Sequence, residues 1–182
     1  PKLLPASHLT LEFVELSDWR ETYPRALRAA RQGADAVVAV GGDGTLNQVS
    51  QALAGSRCKL GIVPAGTGNG LARALGIPLD AEGACRVLAA GKNHRVDHVR
   101  VDQGRSFINM LGIGWDAWIA VKANRLRWLN RISGFLRYLV AAVLSIHKAW
   151  PQGLRIQMGR TIIQGRFMVL AVSNGPQYGF GC

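Results

Sequence analysis

A single aspartate stands among glycines directly after a run of small apolar residues. The run is Val37–Val40, and it continues as Gly41-Gly42-Asp43-Gly44. Glycine adopts backbone angles that other residues avoid, and it lets a ligand approach the main chain. A bare carboxylate beside a polyphosphate is repelled, so Asp43 indicates either a bridging divalent cation or a hydroxyl to be deprotonated. The alternative is a turn aspartate that bonds its own backbone. The flanking glycines favour the functional interpretation.

The residues on either side of this turn predict a strand and a helix. Val37–Val40 is typical of a short strand that is buried on both faces of a parallel sheet. Thr45 is predicted to cap the following helix, whose inward face would carry Leu46, Val49 and Leu53. Strand, glycine turn and helix start together would form a pocket of N–H groups suited to phosphate.

The same arrangement recurs further along the chain. Lys59–Val63 is a second short buried strand, Pro64–Gly70 is a second glycine-rich turn, and Leu71–Leu75 opens a helix. Within this turn, Thr67 and Asn69 can offer side-chain donors, or Asn69 can cap the helix. The carboxyl ends of parallel strands meet at one edge of a sheet, so we expect both turns to open on that edge.

The segment before the first turn also alternates strand and helix signals. Leu9–Leu16 alternates apolar and polar residues and is predicted to be a strand. Ser17 or Asp18 can cap a helix from Trp19 to about Arg31, with Trp19 and Tyr23 among its inward residues. A strand–helix–strand order with tight joins predicts a doubly wound α/β layer.

The pattern changes after a helix that Asp80 is predicted to cap and Gly91 to end. His94–Val101 alternates polar and apolar residues, and Ser106–Leu111 follows as a strand, which predicts an antiparallel hairpin. His94 and His98 would share a strand face without a third metal ligand, so we expect them to be solvated. We therefore predict an α/β domain over residues 1–92 and a β-rich domain over residues 93–182.

Cations accumulate after the segment that ends in Asp116. Lys122, Arg125, Arg127 and Arg131 lie in a predicted helical region. Two interpretations stay open: a solvated helix face, or a clamp on ATP phosphates or acidic lipid headgroups.

A strongly apolar stretch interrupted by one arginine follows. Phe135–Ile146 is too short to span a bilayer. It could be a core helix, a lid over an acyl-chain pocket or an interfacial anchor, and core packing is the favoured interpretation. Pro151 ends it, and Leu154–Met158 with Thr161–Val172 predicts a hairpin that turns at Gly159-Arg160.

Composition indicates a globular protein with an anionic partner. Apolar residues make up 48% of the chain and charged residues 18%, which excludes a disordered chain. The net charge of +11 suits nucleic acid, acidic lipid or a nucleotide polyphosphate. No zinc-finger spacing or RNA-binding aromatic signature accompanies that charge, so no specific nucleic-acid partner is expected. Three scattered cysteines fit buried apolar positions in a reducing cytoplasm.

Four segments, in order, resemble the catalytic domain of the diacylglycerol kinase superfamily. That group includes bacterial soluble lipid kinases, sphingosine kinases and ceramide kinase. The segments are Gly41–Thr45, Pro64–Pro78, Phe107–Ala117, which is similar to the opening of the β-rich second domain, and Asn174–Gly179, which is similar to a later Asn…Tyr-Gly-Gly turn. Gly-Gly-Asp-Gly-Thr also occurs in NAD kinases, and the Pro-Ala-Gly-Thr-Gly-Asn segment favours the lipid kinases.

The resemblance implies a fold and an activity. The fold would be an N-terminal doubly wound, Rossmann-like domain of the NAD kinase and phosphofructokinase type, followed by a partial, sandwich-like β-rich domain. The family's first strand and its C-terminal end are expected to lie outside this chain. The activity would be ATP- and Mg²⁺-dependent transfer of the γ-phosphoryl group to a hydroxyl of diacylglycerol or a related lipid.

The resemblance also implies site residues. Asp43 would be the catalytic and metal-binding residue, and Asp116 would lie near the lipid headgroup. Arg127 and Arg131 are added as substrate residues because of their charge. The residues expected to bind the nucleotide are Gly41, Gly42, Asp43, Gly44, Thr45, Gly66, Thr67 and Asn69. The expected partners are a lipid substrate at a membrane surface and anionic lipids, with the protein cytoplasmic and peripherally attached. A homodimer is left open.

Three other functions stay open. One is a sphingoid-base or ceramide kinase, because Asn69-Gly70 is nearer the pattern of those enzymes. Another is a kinase of a soluble nucleotide such as NAD. The last is a non-catalytic basic module that binds membranes or nucleic acid, although such a module has no need of two matched glycine turns.

Overall fold

The protein is described from a computed structural model that covers residues 10–101, 104–126 and 134–175, with Phe135 given by its backbone. The chain divides into two compact units, Pro1–Asn109 with Ser173–Cys182, and Met110–Val172. This division does not coincide with the predicted domain boundary after residue 92, because the hairpin that follows that point packs against a helix of the first unit.

The first unit is built on two parallel strands, β1 (Ala36–Gly41) and β2 (Lys59–Pro64). Its helices are α1 (Thr22–Arg31), α2 (Asp43–Leu53), α3 (Gly70–Ala74) and α4 (Ala81–Ala89), with a 3₁₀ helix at Trp19–Glu21. A short antiparallel hairpin, β3 (Val99–Arg100) with β4 (Ser106–Phe107), completes the described part. The hairpin expected between residues 94 and 111 is therefore confirmed over a shorter range.

Helices cover both faces of the parallel pair, as predicted for a doubly wound layer. On one face, Ala39 and its neighbour Ile62 pack with Ala26 of α1 and Leu46 of α2. On the other face, a Cβ at Gly61 would lie 3.0 Å from Cδ2 of Leu88 in α4. Successive residues of a strand point to opposite faces, so these contacts place α1 and α2 on one side and α4 on the other.

The predicted inward face of α2 is confirmed, while that of α1 is confirmed only in part. Leu46, Val49 and Leu53 are buried in the core of the first unit. Trp19 and Tyr23, expected to face inward near the start of α1, are exposed. The helix turns its smaller residues, such as Ala26, toward the sheet, because small residues allow close packing.

The strand predicted at Leu9–Leu16 is wrong for the residues that the structure describes. Residues 10–16 have no regular structure and are mostly exposed, Phe13 among them. An apolar–polar alternation stabilises a strand only where a neighbouring strand accepts its backbone hydrogen bonds, and the described residues 10–16 pair with no strand.

The second unit combines helices with two pairs of strands. Its helices are α5 (Trp115–Arg125) and α6 (Gly134–Leu144), followed by a 3₁₀ helix at Ile146–Lys148. Its strands are β5 (Met110–Gly114), β6 (Gln152–Met158), β7 (Thr161–Phe167) and β8 (Val169–Ser173). The predicted turn at Gly159-Arg160 is confirmed, since β6 and β7 pair antiparallel with Met158 opposite Thr161. The predicted second strand is interrupted at Met168, and β8 pairs with β5.

The apolar stretch that contains α6 is buried on one face only. Ala141 and Arg137 are buried, whereas Leu139, Val143 and Leu144 are exposed. The prediction of a core helix is therefore confirmed for one face of α6 and wrong for the other. Within the described residues, no helix has the length and apolar character required to cross a bilayer.

Candidate functional site

The two glycine-rich turns open on the same edge of the sheet, as the sequence predicts. Strands β1 and β2 run parallel with Gly41 opposite Pro64, so both end at one level. The register continues for one residue, because the Ala65 N–H donates to the Gly41 carbonyl at 3.0 Å. Beyond this bond, both chains enter their turns side by side.

The turns touch each other through main-chain atoms at Gly42 and Gly66. A Cβ placed on Gly42 would lie 3.0 Å from the Gly66 Cα, and a Cβ placed on Gly66 would collide with the Gly42 Cα. Backbone atoms cannot swing aside as a side chain can. These positions therefore require glycine because two backbones share one narrow space.

Thr45 does not cap α2, which corrects the sequence prediction. The helix begins at Asp43 and its N-cap is Gly42, so Thr45 lies within the first turn. Its hydroxyl lies against Gly41, where an added Cβ would be only 2.7 Å from Thr45 Oγ1. Gly44 has open space around its Cα. Because Gly42 has no side chain, the first N–H groups of α2 are left without a side-chain cap.

The Asp43 carboxylate joins the two turns. Its Oδ2 accepts the Gly70 N–H at 3.0 Å, and its Oδ1 accepts the Leu71 N–H at 3.0 Å. The alternative of a turn aspartate that bonds its own backbone is therefore wrong, because the partners are Gly70 and Leu71, where the second turn passes into α3. Asp43 lies at the start of α2 and caps the start of α3. Each carboxylate oxygen has a second lone pair, which leaves it able to accept from, or ligate, a further group.

Asn69 closes the second turn on itself. Its Oδ1 accepts the Gly66 N–H at 2.9 Å, and its Nδ2 donates to the Gly66 carbonyl at 2.8 Å. It is 6% exposed and has a left-handed backbone with φ of 50°. Its side chain makes no capping bond to α3, so the capping alternative is wrong. Thr67, between these two residues, is half-buried.

Asn109 is a residue of this edge that sequence reasoning missed. A Cβ on Gly70 would lie 2.8 Å from the Asn109 amide nitrogen and 3.6 Å from Oδ1 of Asp43. The Asn109 carboxamide and the Asp43 carboxylate thus flank the same point at the start of α3. The available signal was a lone carboxamide in the apolar run Phe107–Leu111, which was interpreted as strand and as part of the family segment but given no site residue.

Asn174 holds the chain around Asn109. Its backbone N–H donates to the Asn109 carbonyl at 2.8 Å. Its side-chain amide donates to the carbonyls of Asp97 at 2.6 Å and Ile108 at 2.9 Å. A residue distant in sequence thus fixes the backbone that carries the Asn109 side chain.

The predicted substrate residues are not brought to this edge by any described contact. Asp116 belongs to the second unit and lies in the first turn of α5, with its carboxylate against Gly112. Arg127 and Arg131 lie outside the described residues. Their proposed roles stay predictions.

Among the described residues, Asp43 belongs to no group of three or more carboxylates, histidines or cysteines that could form a metal site of protein ligands alone. Across the part of the chain that the structure describes, no three such residues are grouped closely enough to hold a metal ion. His98, half-buried, has its Nε2 3.5 Å from Oγ of Ser106, and His94 is exposed. A cation at Asp43 would therefore take most of its ligands from a bound phosphate group and from water.

Comparison with known proteins assigns the family. Residues 2–101 match the model of the family described as diacylglycerol kinase catalytic domain. The chain belongs to this family. The match includes both glycine turns and the Asp43 carboxylate that joins them.

Named relatives cover more of the chain. It is 33% identical over 155 residues to "Probable lipid kinase YegS-like" of Klebsiella pneumoniae, a match covering 84% of the chain and 52% of that protein. It is also 33% identical over 159 residues to the diacylglycerol kinase of Mycobacterium tuberculosis, covering 84% of the chain and 50% of that protein. The chain thus spans about half the length of the curated relatives it matches.

Solved structures show the same fold. A crystal structure of a diacylglycerol kinase from Bacillus anthracis superposes with a TM-score of 0.68 at 22% identity, covering 92% of this chain and 54% of that one. At this level of identity the likeness supports the fold, and the α/β arrangement predicted from the sequence is confirmed.

Proposed function

We propose that the protein is a lipid kinase that transfers the γ-phosphoryl group of ATP to a lipid hydroxyl, with diacylglycerol or a related lipid as acceptor. The observation that carries this proposal is the joining of two glycine turns at one sheet edge by the Asp43 carboxylate. A charge-only binding module has no use for that arrangement. The relatives named as lipid and diacylglycerol kinases support the choice of acceptor class.

The first turn of α2 suits the nucleotide phosphates. The N-terminal N–H groups of an α-helix and its dipole attract anions. Gly42 has no side chain to cap these groups, and a ligand can approach closely at Gly44, which has open space on its Cα side. The contact of Gly42 with Gly66 brings the second turn to the same place. Gly41, Thr45, Thr67 and Asn69 then act by shaping the two turns.

Asp43 suits a site for Mg²⁺ that is shared with the phosphates. Mg²⁺ is commonly held by one or two carboxylates together with phosphate oxygens and water, and Asp43 supplies one carboxylate with free lone pairs. When bound, the ion would neutralise charge on the transferring group, which is the main requirement of phosphoryl transfer. Asp43 itself fixes the start of α3 against the first turn, so it positions both halves of the phosphate site.

The acceptor side of the reaction is proposed from charge and from the family. Asp116, Arg127 and Arg131 are proposed to contact the lipid headgroup. The net charge of +11 favours peripheral attachment to an anionic membrane, where a lipid acceptor resides. Cytoplasmic location and a homodimer are further parts of this proposal.

Radiolabelled ATP tests the proposal. The full-length protein is incubated with γ-labelled ATP, Mg²⁺, NAD and vesicles containing diacylglycerol, phosphatidylglycerol, sphingoid base and ceramide. We expect label in the organic phase. Label on NAD would instead establish a kinase of soluble nucleotides.

A matched pair of variants tests the role of Asp43. Asp43→Asn replaces one oxygen of the carboxylate by an NH₂ group, which cannot accept a hydrogen bond from an N–H. We expect a loss of activity on the order of 100-fold or more. Asp80 is the control, because its carboxylate caps α4 by accepting the Gly83 N–H at 2.7 Å, a bond that involves neither glycine turn. Asp80→Asn should retain activity. A folded Asp43→Asn protein with parental turnover would contradict the proposed role.

A further inference from the structure

The positive charge of the protein is concentrated after Asp116. All 11 aspartates and glutamates lie at or before that residue, whereas nine of the 22 lysines and arginines follow it. Nine cations and no acid give residues 117–182 a formal charge of +9, out of +11 for the chain. A segment whose charged side chains are all positive attracts a negatively charged surface over a Debye length of about 8 Å at physiological salt.

Two of the described tryptophans in the second unit are exposed. Trp118 on α5 is 46% exposed, and Trp150, just after the second 3₁₀ helix, is 72% exposed. Trp115 is different, because its indole Nε1 donates to both the carbonyl and the hydroxyl of Ser145 at 3.1 Å and ties α5 to the end of α6. The Trp150 indole N–H donates to the His147 carbonyl at 2.9 Å, so its polar atom is satisfied while its ring faces outward.

Basic and apolar side chains line one cleft around Trp118. We call this cleft the basic–aromatic cleft, and its lining includes Trp118, Val121, Lys122, Arg125, Leu144 and Lys148. The Lys148 ammonium lies 5.3 Å from the centre of the Trp118 ring, a cation–π distance. Trp118, Val121 and Leu144 are all exposed. No carboxylate of the described residues is among its lining residues.

We propose that the basic–aromatic cleft and Trp150 dock the protein on an anionic phospholipid bilayer. Tryptophan rings favour the boundary between headgroups and acyl chains, and nearby lysine and arginine bind anionic headgroups. A nucleic acid would use the cations and stack on the tryptophans, but it has no use for the exposed Val121 and Leu144 beside Trp118, which acyl chains would cover. This surface supplies the membrane attachment that the proposed function requires, although docking itself needs no phosphoryl transfer.

Vesicle co-sedimentation without nucleotide tests the surface. Full-length protein is mixed with vesicles of phosphatidylcholine alone, or with 30% phosphatidylglycerol, at physiological salt. We expect binding to the anionic vesicles and little to the neutral ones. Each basic residue near an anionic surface contributes about 1 kcal/mol, so Lys122→Gln with Arg125→Gln should lower the partition coefficient roughly 30-fold. Trp118→Ala should also lower it.

The matched control removes the same charge elsewhere in the second unit. Arg155 of β6 and Arg160 of the hairpin turn are exposed and do not line the cleft. Arg155→Gln with Arg160→Gln should change partitioning less than roughly threefold. An equal loss in both double variants would overturn the proposal, since binding would then follow net charge alone. Circular dichroism confirms that each variant is folded.

Two further outcomes would also count against this surface. Unchanged vesicle binding by a folded Trp118→Ala protein, together with equally tight binding of single-stranded RNA, would point to a nucleic-acid partner. Failure of Trp118 and Trp150 to react with a tryptophan-modifying reagent in the vesicle-free protein would show that another part of the protein covers them. Loss of kinase activity with intact vesicle binding would refute the proposed function and leave the docking surface standing.

Discussion

Replacement of Asn69 by alanine should destabilise the protein through its backbone as well as its side chain. The Asn69 carboxamide makes two hydrogen bonds to the main chain of Gly66, at 2.9 and 2.8 Å. Its φ of 50° is the only positive value among the non-glycine residues that the structure describes. Asparagine tolerates this left-handed conformation better than alanine does. Asn69→Ala therefore removes two bonds and adds strain at one position.

The size of the effect follows from these contacts. Gly66 is exposed, so water can replace the lost partners, and each bond is worth its net value of about 1 kcal/mol. The left-handed conformation costs alanine roughly a further 1 kcal/mol. We therefore expect Asn69→Ala to lower the free energy of unfolding by about 3 kcal/mol. Asn69→Gly loses the same bonds without the strain, so its expected loss is about 2 kcal/mol.

Urea unfolding at 25 °C, followed by circular dichroism, measures both variants against the parent protein. The order of stability should be parent, then Asn69→Gly, then Asn69→Ala. Losses within about 0.5 kcal/mol of zero would show that the bonds to Gly66 do not support the turn. A glycine variant less stable than the alanine variant would refute the argument from left-handed strain.

Two more predictions concern other positions. Gly66→Ala should lower the free energy of unfolding by roughly 1–3 kcal/mol, because the new methyl group meets the Gly42 backbone. Gly44→Ala is the control, because its methyl group has open space, and it should leave the melting temperature unchanged or raised. Equal melting temperatures for the two variants would contradict the close contact of Gly42 and Gly66. Burial raises the pKa of the Cys58 thiol, and the charge of Asp35 raises it further. Less thiolate therefore forms at pH 8, and iodoacetamide should alkylate Cys58 more slowly than it alkylates the thiol of free glutathione. An equal rate for the two thiols would show that Cys58 is open to solvent.

The sequence predicts the centre of the first unit well. The runs that become β1 and β2 are apolar, short and followed by glycine, and few other structures fit that combination. The start of α4 is equally local, because Asp80 accepts the N–H of Gly83 only three residues later. Signals that act within a few residues can be interpreted without knowing the rest of the fold.

The contacts that build the site act over longer distances and were mostly missed. Asp43 accepts N–H groups 27 and 28 residues away, a contact that local capping rules do not predict, and the same rules assigned Thr45 a capping role that it does not have. Asn109 lies beside the start of α3, and its backbone is bonded to Asn174, 65 residues later. Neither contact leaves a periodic pattern in the sequence, which is the signal on which sequence interpretation depends.

Strand pairing was the other source of error. Residues 10–16 have a strand-like alternation but no described partner, so the alternation alone did not produce a strand. The run after Gly159-Arg160 looked like one long strand, yet it divides at Met168 so that Val169–Ser173 can pair with Met110–Gly114. Which strands become neighbours depends on tertiary packing, and composition does not encode it locally.

The meeting of Gly42 and Gly66 has a consequence for how these positions can change. A methyl group added to either residue displaces the backbone of the other. Once that displacement has occurred, part of the space for a second methyl group is already open. The effects of substituting both should therefore be smaller than the sum of the separate effects. Although they follow different strands of the sheet, the two glycines should behave as one unit.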